Sequence, residues 1–190
     1  RHARGPRRGG CRVRRAGDRA GGGKGAAAEV RWGMQGPVKP FGGGRGVARP
    51  ALYGRVATIG PREYGGNIDN KELGAGATLY LPVFNPGALF STGDGHAVQG
   101  DGEVSISSLD TAVSVTFELI VRKDLHLKFP RADTPTHLIS MGLNVDLAEA
   151  AKQALREMLT MICEKLNVPP EETYMLCSLA FDLRMTRPVD

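Results

Sequence analysis

The chain has 190 residues, 41% of them hydrophobic, and a net charge of +5. That length fits one or two domains, and the apolar share would support a core if it were spread evenly. It is not: residues 1–50 hold 13 of the 25 Lys and Arg and 14 of the 26 glycines, with only Asp18 and Glu29 to offset the charge. This segment carries +11 and leaves −6 for the rest, so the basic balance says little about what the remainder binds. No run of about 18 apolar residues is present, which excludes a membrane-spanning helix. The three cysteines, Cys11, Cys163 and Cys177, are odd in number and lack metal-binding spacing, so reduced thiols and a cytoplasmic setting are expected.

Segment 1–50 shows neither helical nor strand periodicity, and its Arg, Gly and Ala bias offers too little apolar surface to offset chain entropy. It is expected to be a disordered basic tail, with the folded domain running over 51–190. Arg-rich, Gly-rich sequence attracts phosphate, and Trp32 or Phe41 would be available to stack on bases. The start, Arg1-His2-Ala3-Arg4, has no apolar stretch of the kind a secretory signal needs.

From Leu52 the character changes. Pro61 turns the chain into the glycine-rich Gly65-Gly66-Asn67, which reads from composition alone as a turn followed by a strand. Thr78–Phe84 and Ala88–Thr92 read as short strands, with Pro82 marking an edge or bend. Then comes Gly93-Asp94-Gly95-His96-Ala97-Val98-Gln99-Gly100-Asp101-Gly102-Glu103, where metal- or proton-binding groups stand among four glycines. Asp94 and His96 are two apart, so in extended chain both leave one face, and Asp101 and Glu103 repeat that spacing. Two surface Asp-Gly turns are the plain alternative. Neither a phosphate-binding loop nor an EF-hand pattern is matched.

Further strands are expected at Glu103–Ser108, Ala112–Leu127 and Thr136–Met141. In the second, Val113, Val115, Phe117, Leu119 and Val121 alternate strictly with polar or flanking residues, the mark of a half-buried antiparallel strand. His126 and His137 read as surface and structural residues. Asp146 with Glu149 three later forms a capping box that opens a helix to about Leu166, with a stripe from Leu147 to Ile162 facing the sheet. Asn167 closes it, Pro169-Pro170 starts another helix, and the alternation over Asp182–Thr186 predicts a last strand. The fold class is α+β: a β-rich, antiparallel, sandwich-like core with a long C-terminal helix packed on it.

Three segments together are more specific than any one. Tyr64-Gly65-Gly66-Asn67-Ile68-Asp69-Asn70-Lys71-Glu72-Leu73, then Gly76–Val83 and Pro86–Phe90, then the Gly93–Glu103 run, resemble the acetamidase/formamidase family in order and spacing. The resemblance covers about Leu52 to the C-terminus and is strongest over Arg62–Asn70 and Leu79–Val104; Gly60 departs from it, since proline is usual there. It implies hydrolysis of short linear amides, formamide or acetamide, to ammonia and a carboxylate. It also implies that the 65–69 loop lies near the active centre, which makes Asn67 and Asp69 candidate contacts.

Amide hydrolysis needs an electrophile for the carbonyl, an attacking water and a proton for the departing nitrogen. Asp94 and His96 are suitable first ligands for a divalent metal, their hard oxygen and borderline nitrogen suiting zinc. Asp69 or Asp101 would complete the set, Glu103 is the base, and Asn67 and Gln99 are assigned to the substrate. A second, structural calcium fits the remaining oxygens. The partners expected are thus the amide, a metal and further copies of the chain in a homo-oligomer, with no membrane.

Family members also carry a further β-rich segment before the Gly-Gly-Asn-Ile-Asp motif, where this chain has the basic tail. A catalytically inactive truncated member, with nucleic-acid binding by that tail, is therefore the alternative, and strands lacking their partners would be left as open edges.

Overall fold

The computed structural model describes residues 10–18, 27–30 and 34–188. In chain order the strands are β1 (Gly10–Asp18), β2 (Ala27–Val30), β3 (Met34–Pro37), β4 (Phe41–Gly46), β5 (Gly65–Asn67), β6 (Thr78–Pro82), β7 (Ser91–Val98), β8 (Leu109–Asp110), β9 (Val115–Arg122), β10 (Arg131–Asp133) and β11 (Leu138–Ser140). Two helices follow, α1 (Leu147–Leu166) and α2 (Pro170–Ala180). A five-stranded sheet runs β11-β10-β6-β1-β9, a four-stranded sheet runs β5-β4-β7-β8, and β2 and β3 pair as a separate ribbon. Every pairing between these strands is antiparallel.

Strand β6 is apolar and buried along its whole length because it lies at the centre of its sheet, with β10 on one side and β1 on the other. Its Leu79 and Leu81 join Val47, Tyr64, Ile68, Leu73, Ala132 and Met141 in the main core. Four of these eight come from β6, β10 and the residue after β11, Leu73 lies in the connection between β5 and β6, and the other three, Val47, Tyr64 and Ile68, flank the β4–β5 pair. The core therefore joins the two larger sheets, and burial on this scale, about 1.5–3 kcal/mol for each large apolar side chain, is what holds the four-stranded sheet in place.

Helix α1 begins and ends where the capping pattern puts it. Asp146 Oδ1 accepts a hydrogen bond from the Glu149 amide at 2.9 Å, and Asn167 takes the left-handed conformation, its amide reaching the Cys163 carbonyl. The helix lies close to the segment after β11: a Cβ on Gly142 would overlap the Ala150 carbonyl, and Ser140 Oγ donates to the Ala154 carbonyl at 2.7 Å. Only Met161 and Ile162 of α1 are fully buried, and Leu147 at the start of the stripe is exposed. Asp146→Ala is expected to lower unfolding free energy by about 1 kcal/mol, read from the urea midpoint at unchanged slope.

Several expectations are corrected. Strands β1 to β4 lie in the segment read as a tail; β1 is laddered between β6 and β9, and β4 between β5 and β7. Backbone pairing and close approach to neighbours favour a glycine-rich strand that local propensity argues against. Residues 1–9, 19–26 and 31–33, including Trp32, lie outside the described residues. Phe41 is 1% exposed, so it cannot stack on bases.

Glu103–Ser108 is a turn, because Glu103 and Ile106 adopt φ of 38° and 62°, which breaks the pleat. Ala88 and Leu89 likewise turn, at φ 55° and 52°, and the strand begins at Ser91. No strand forms over Asp182–Thr186. In β9 the expected inward face is only half realised: Phe117 packs against Phe90, whereas Leu119 and Val121 are 56% and 69% exposed because little covers that end of the face. His126 is exposed, as expected; His137, read as structural, is exposed as well, with its Nδ1 2.7 Å from Thr136 Oγ1.

Candidate metal centre

The site forms where β4 and β7 pair. Register places Phe41 opposite His96 and Gly44 opposite Gly93. The two rings meet edge to face at 5.2 Å between centroids, which fixes the imidazole plane. His96 is 1% exposed, and its Nδ1 stands 2.7 Å from Gln99 Oε1. Gln99 Nε2 donates to the Asp69 carbonyl at 2.5 Å, which leaves Gln99 Oε1 as an acceptor and makes Nδ1 of His96 the donor.

Nε2 then points at carboxylates. Asp94 Oδ1 lies 3.1 Å from it, and Glu103 Oε1 and Asp110 Oδ1 each lie 3.8 Å away. Asp69, His96 and Glu103 are all buried and offer ligand atoms within 4.8 Å of one another. In the neutral ring an Nε2 lone pair would face these oxygens, so the cluster calls for a proton or a metal ion between them. Asp69 Oδ1 and Glu103 Oε2 are buried without a hydrogen-bond partner, which suits the one to ligate a cation and the other to take a proton.

Backbone strain collects at the same place. Asp69, Asp94 and Glu103 adopt φ of 47°, 59° and 38°, in the left-handed region that side chains larger than glycine's disfavour. Gly43 on β4 makes the room: a Cβ there would overlap Asp69 Oδ1 and stand 2.8 Å from Asp94 Oδ2 and 3.0 Å from His96 Cε1. Its carbonyl accepts from the amides of Ile68 and Asp69, at 3.0 and 3.3 Å, and so holds the turn that carries Asp69.

Burial pushes the Asp69 carboxyl up to about 7, with the Glu103 and Asp94 charges acting the same way against the pull of Arg187 and His96. For His96, burial disfavours the charged ring, but the Gln99 hydrogen bond and the Asp94 and Asp69 charges outweigh it and raise its pKa. In metal-free protein the folded state therefore binds a proton at Asp69 more tightly than the unfolded chain, whose carboxyl titrates near 3.8. Stability from this group rises as pH falls from about 7 towards 3.8 and is lost as pH rises through about 7. Melting of wild type and Asp69→Asn in chelator across this window is expected to show the rise in wild type and a flatter profile in the variant.

Of the residues singled out by sequence, the structure brings together Asp69, Asp94, His96, Gln99 and Glu103. Asn67 donates from Nδ2 to Asp94 Oδ2 at 3.1 Å, so it holds a carboxylate. Asp101 stands apart, paired with Lys71 at 3.1 Å. A cavity of about 430 Å³ adjoins the cluster, and Gln99, Asp101, Glu103, Val98 and Leu109 are among its lining. Sequence reading missed Gly43, Asp110 and Arg187. The Phe41–Gly44 run was a visible signal for Gly43, since three glycines after an aromatic allow close approach, but nothing local marks the other two.

Residues 47–190 match the Acetamidase/Formamidase family. The formamidase of Methylophilus methylotrophus is 34% identical over 119 residues, 56% of this chain and 29% of that protein. The acetamidase of Mycolicibacterium smegmatis is 50% identical over 48 residues, 25% of this chain and 12% of that protein. The matched part thus spans less than a third of these curated relatives. Among solved structures, the acetamidase of Bacillus halodurans is similar with a TM-score of 0.84 and 29% identity, covering 96% of this chain and 70% of that one. The Gly-Gly-Asn-Ile-Asp loop and the strand bearing His96 fall inside the matched span, and the chain belongs to the acetamidase/formamidase family.

Proposed function

We propose that this chain hydrolyses short linear amides at a divalent metal held by Asp69, His96 and Asp94, with Glu103 as the base. The observation that carries this reading is the cluster itself: a buried histidine whose Nε2 faces carboxylates, two of which keep buried oxygens without hydrogen-bond partners. Nitrogen and oxygen donors together suit zinc, and a second, structural calcium fits the further carboxylates. When bound, the metal supplies a Lewis acid that polarises the amide carbonyl and makes water easier to ionise.

The chain's residues supply the rest. Gln99 holds His96 with Nε2 turned to the cluster, and Asn67 keeps Asp94 beside it. Glu103 is the carboxylate that belongs both to the cluster and to the adjoining cavity, where an amide would enter. Its Oε2 takes a proton from the attacking water as the new C–O bond forms. That proton passes to the amide nitrogen as the C–N bond breaks, giving the carboxylic acid and ammonia, and the acid's remaining proton then goes to ammonia or water to leave the carboxylate.

The test is metal content together with ammonia release from formamide and acetamide. Wild type is expected to hold about one equivalent and turn over, while Glu103→Gln keeps the metal and loses about 10²–10⁴ in rate, the usual contribution of a positioned base. Loss of metal in Glu103→Gln would make Glu103 a ligand instead. A folded wild type with neither metal nor turnover would favour the inactive truncated member, and a salt-sensitive RNA shift abolished by changing Arg4, Arg7 and Arg8 to Gln would add the nucleic-acid role.

A cytoplasmic setting belongs to the same proposal, since Cys163 and Cys177 are free thiols. So does a homo-oligomer, for which the open β9 edge with Leu119 and Val121 offers a surface. Among the described residues no helix is long and apolar enough to cross a membrane.

A further inference from the structure

The stretch after α2 returns to the site. The Gly102 amide donates to the Thr186 carbonyl at 3.0 Å, which ties this stretch to the turn that carries Glu103. The next residue, Arg187, reaches inward, with its side chain only 7% exposed. Its Nη1 donates to the Asn67 carbonyl at 3.0 Å and to Asp69 Oδ2, and its Nε stands 3.8 Å from Glu103 Oε2.

These contacts sort the oxygens of Asp69. Oδ2 is engaged by the guanidinium, while Oδ1 has no hydrogen-bond partner. A planar guanidinium that also holds the Asn67 carbonyl limits rotation of the carboxylate, in a way that a single ammonium would not. The same side chain lies beside Glu103, so one cation serves both strained turns, Asp69 at φ 47° and Glu103 at φ 38°.

We infer that Arg187 is a positioning residue of the metal centre: by binding Asp69 Oδ2 it presents Oδ1 as the ligand atom and keeps the Asp69 and Glu103 turns in register. This rests on the reading of Asp69 as a metal ligand. Residues that orient ligands from outside the first coordination sphere typically alter metal affinity by 10–100-fold when removed.

Titration of metal-free protein with Co²⁺, followed by its visible absorption, tests the inference without relying on turnover. Arg187→Gln is expected to weaken Co²⁺ binding by about 10–100-fold, with Arg187→Lys between it and wild type. Because Arg187 acts chiefly through Asp69, most of the loss is expected to vanish in the Asp69→Asn background, titrated to Co²⁺ concentrations at which Asp69→Asn itself binds. Arg187→Gln binding within about twofold of wild type, or an equal loss in both backgrounds, would overturn it. If Arg187→Gln fails to fold, Arg187→Lys carries the same cycle. Absence of Co²⁺ binding by wild type would remove the metal reading and this inference with it, whereas wild-type binding with unchanged Arg187 variants would remove the inference alone.

Discussion

His96→Ala is expected to release the metal and lower amide turnover by about a thousand-fold or more. The metal's effect on a polarised carbonyl is worth several kcal/mol, and a loss of about 4 kcal/mol corresponds to that factor. No neighbour can replace the ring. Gln99 is already held by the Asp69 carbonyl, and Asp69, Asp94 and Glu103 are left as acids facing one another with no nitrogen donor among them. His96→Gln, which keeps more of the volume against Phe41, is expected to fold better than His96→Ala yet to be equally poor in metal. Metal content by mass spectrometry and ammonia release on the same samples check this. Full metal in His96→Ala would rule out the site as described.

Gly43→Ala is expected to damage the same centre from a residue that carries no chemistry. Its methyl would occupy space held by Asp69 Oδ1 and crowd Asp94 Oδ2 at 2.8 Å. Neither carboxylate can withdraw easily, since Asp69 is tied to Arg187 and Asp94 to Asn67. Overpacking of this kind costs about 1–3 kcal/mol in stability, and displaced ligands lose metal as well. Gly93→Ala on the neighbouring strand is the control, because a Cβ there meets nothing within 4 Å. Thermal melts and metal content are expected to separate the two variants clearly. Equal behaviour would mean that β4 has room to move away from β7.

Much of the helical part was legible because its signals are local. The Asp146–Glu149 cap, the left-handed Asn167 and Pro170 at the start of α2 act within one or two turns of chain. The β part was less so. Whether Leu119 and Val121 face a core depends on what lies beyond β9, and alternation alone carries no information about that. The turn at Glu103–Ser108 was hidden by apolar and β-favouring residues whose backbone is set by the site. In the centre itself, the i,i+2 spacing of Asp94 and His96 predicted a real contact, 3.1 Å between side chains. Asp101 repeats that spacing with Glu103 and still diverges, because Glu103 is in a positive-φ turn and Lys71 holds Asp101 elsewhere. Phe41 to Gly44 looked like part of a low-complexity tail, since composition is blind to the strand that receives those residues.

The hydrogen bond between Arg187 and Asp69 links residues 118 positions apart. A side-chain contact made by a stretch outside the strands finds its partners only once the turns that carry Asp69 and Glu103 have formed. The β4–β7 pair can thus assemble before the carboxylate of Asp69 is locked, and an intermediate at that stage would hold the metal weakly. Zinc added during refolding would then act on the final docking of residues 186–187 rather than on early collapse, and recovery of tight binding would lag behind recovery of β-sheet signal. Metal affinity would serve, in that sense, as a clock for the last step of folding.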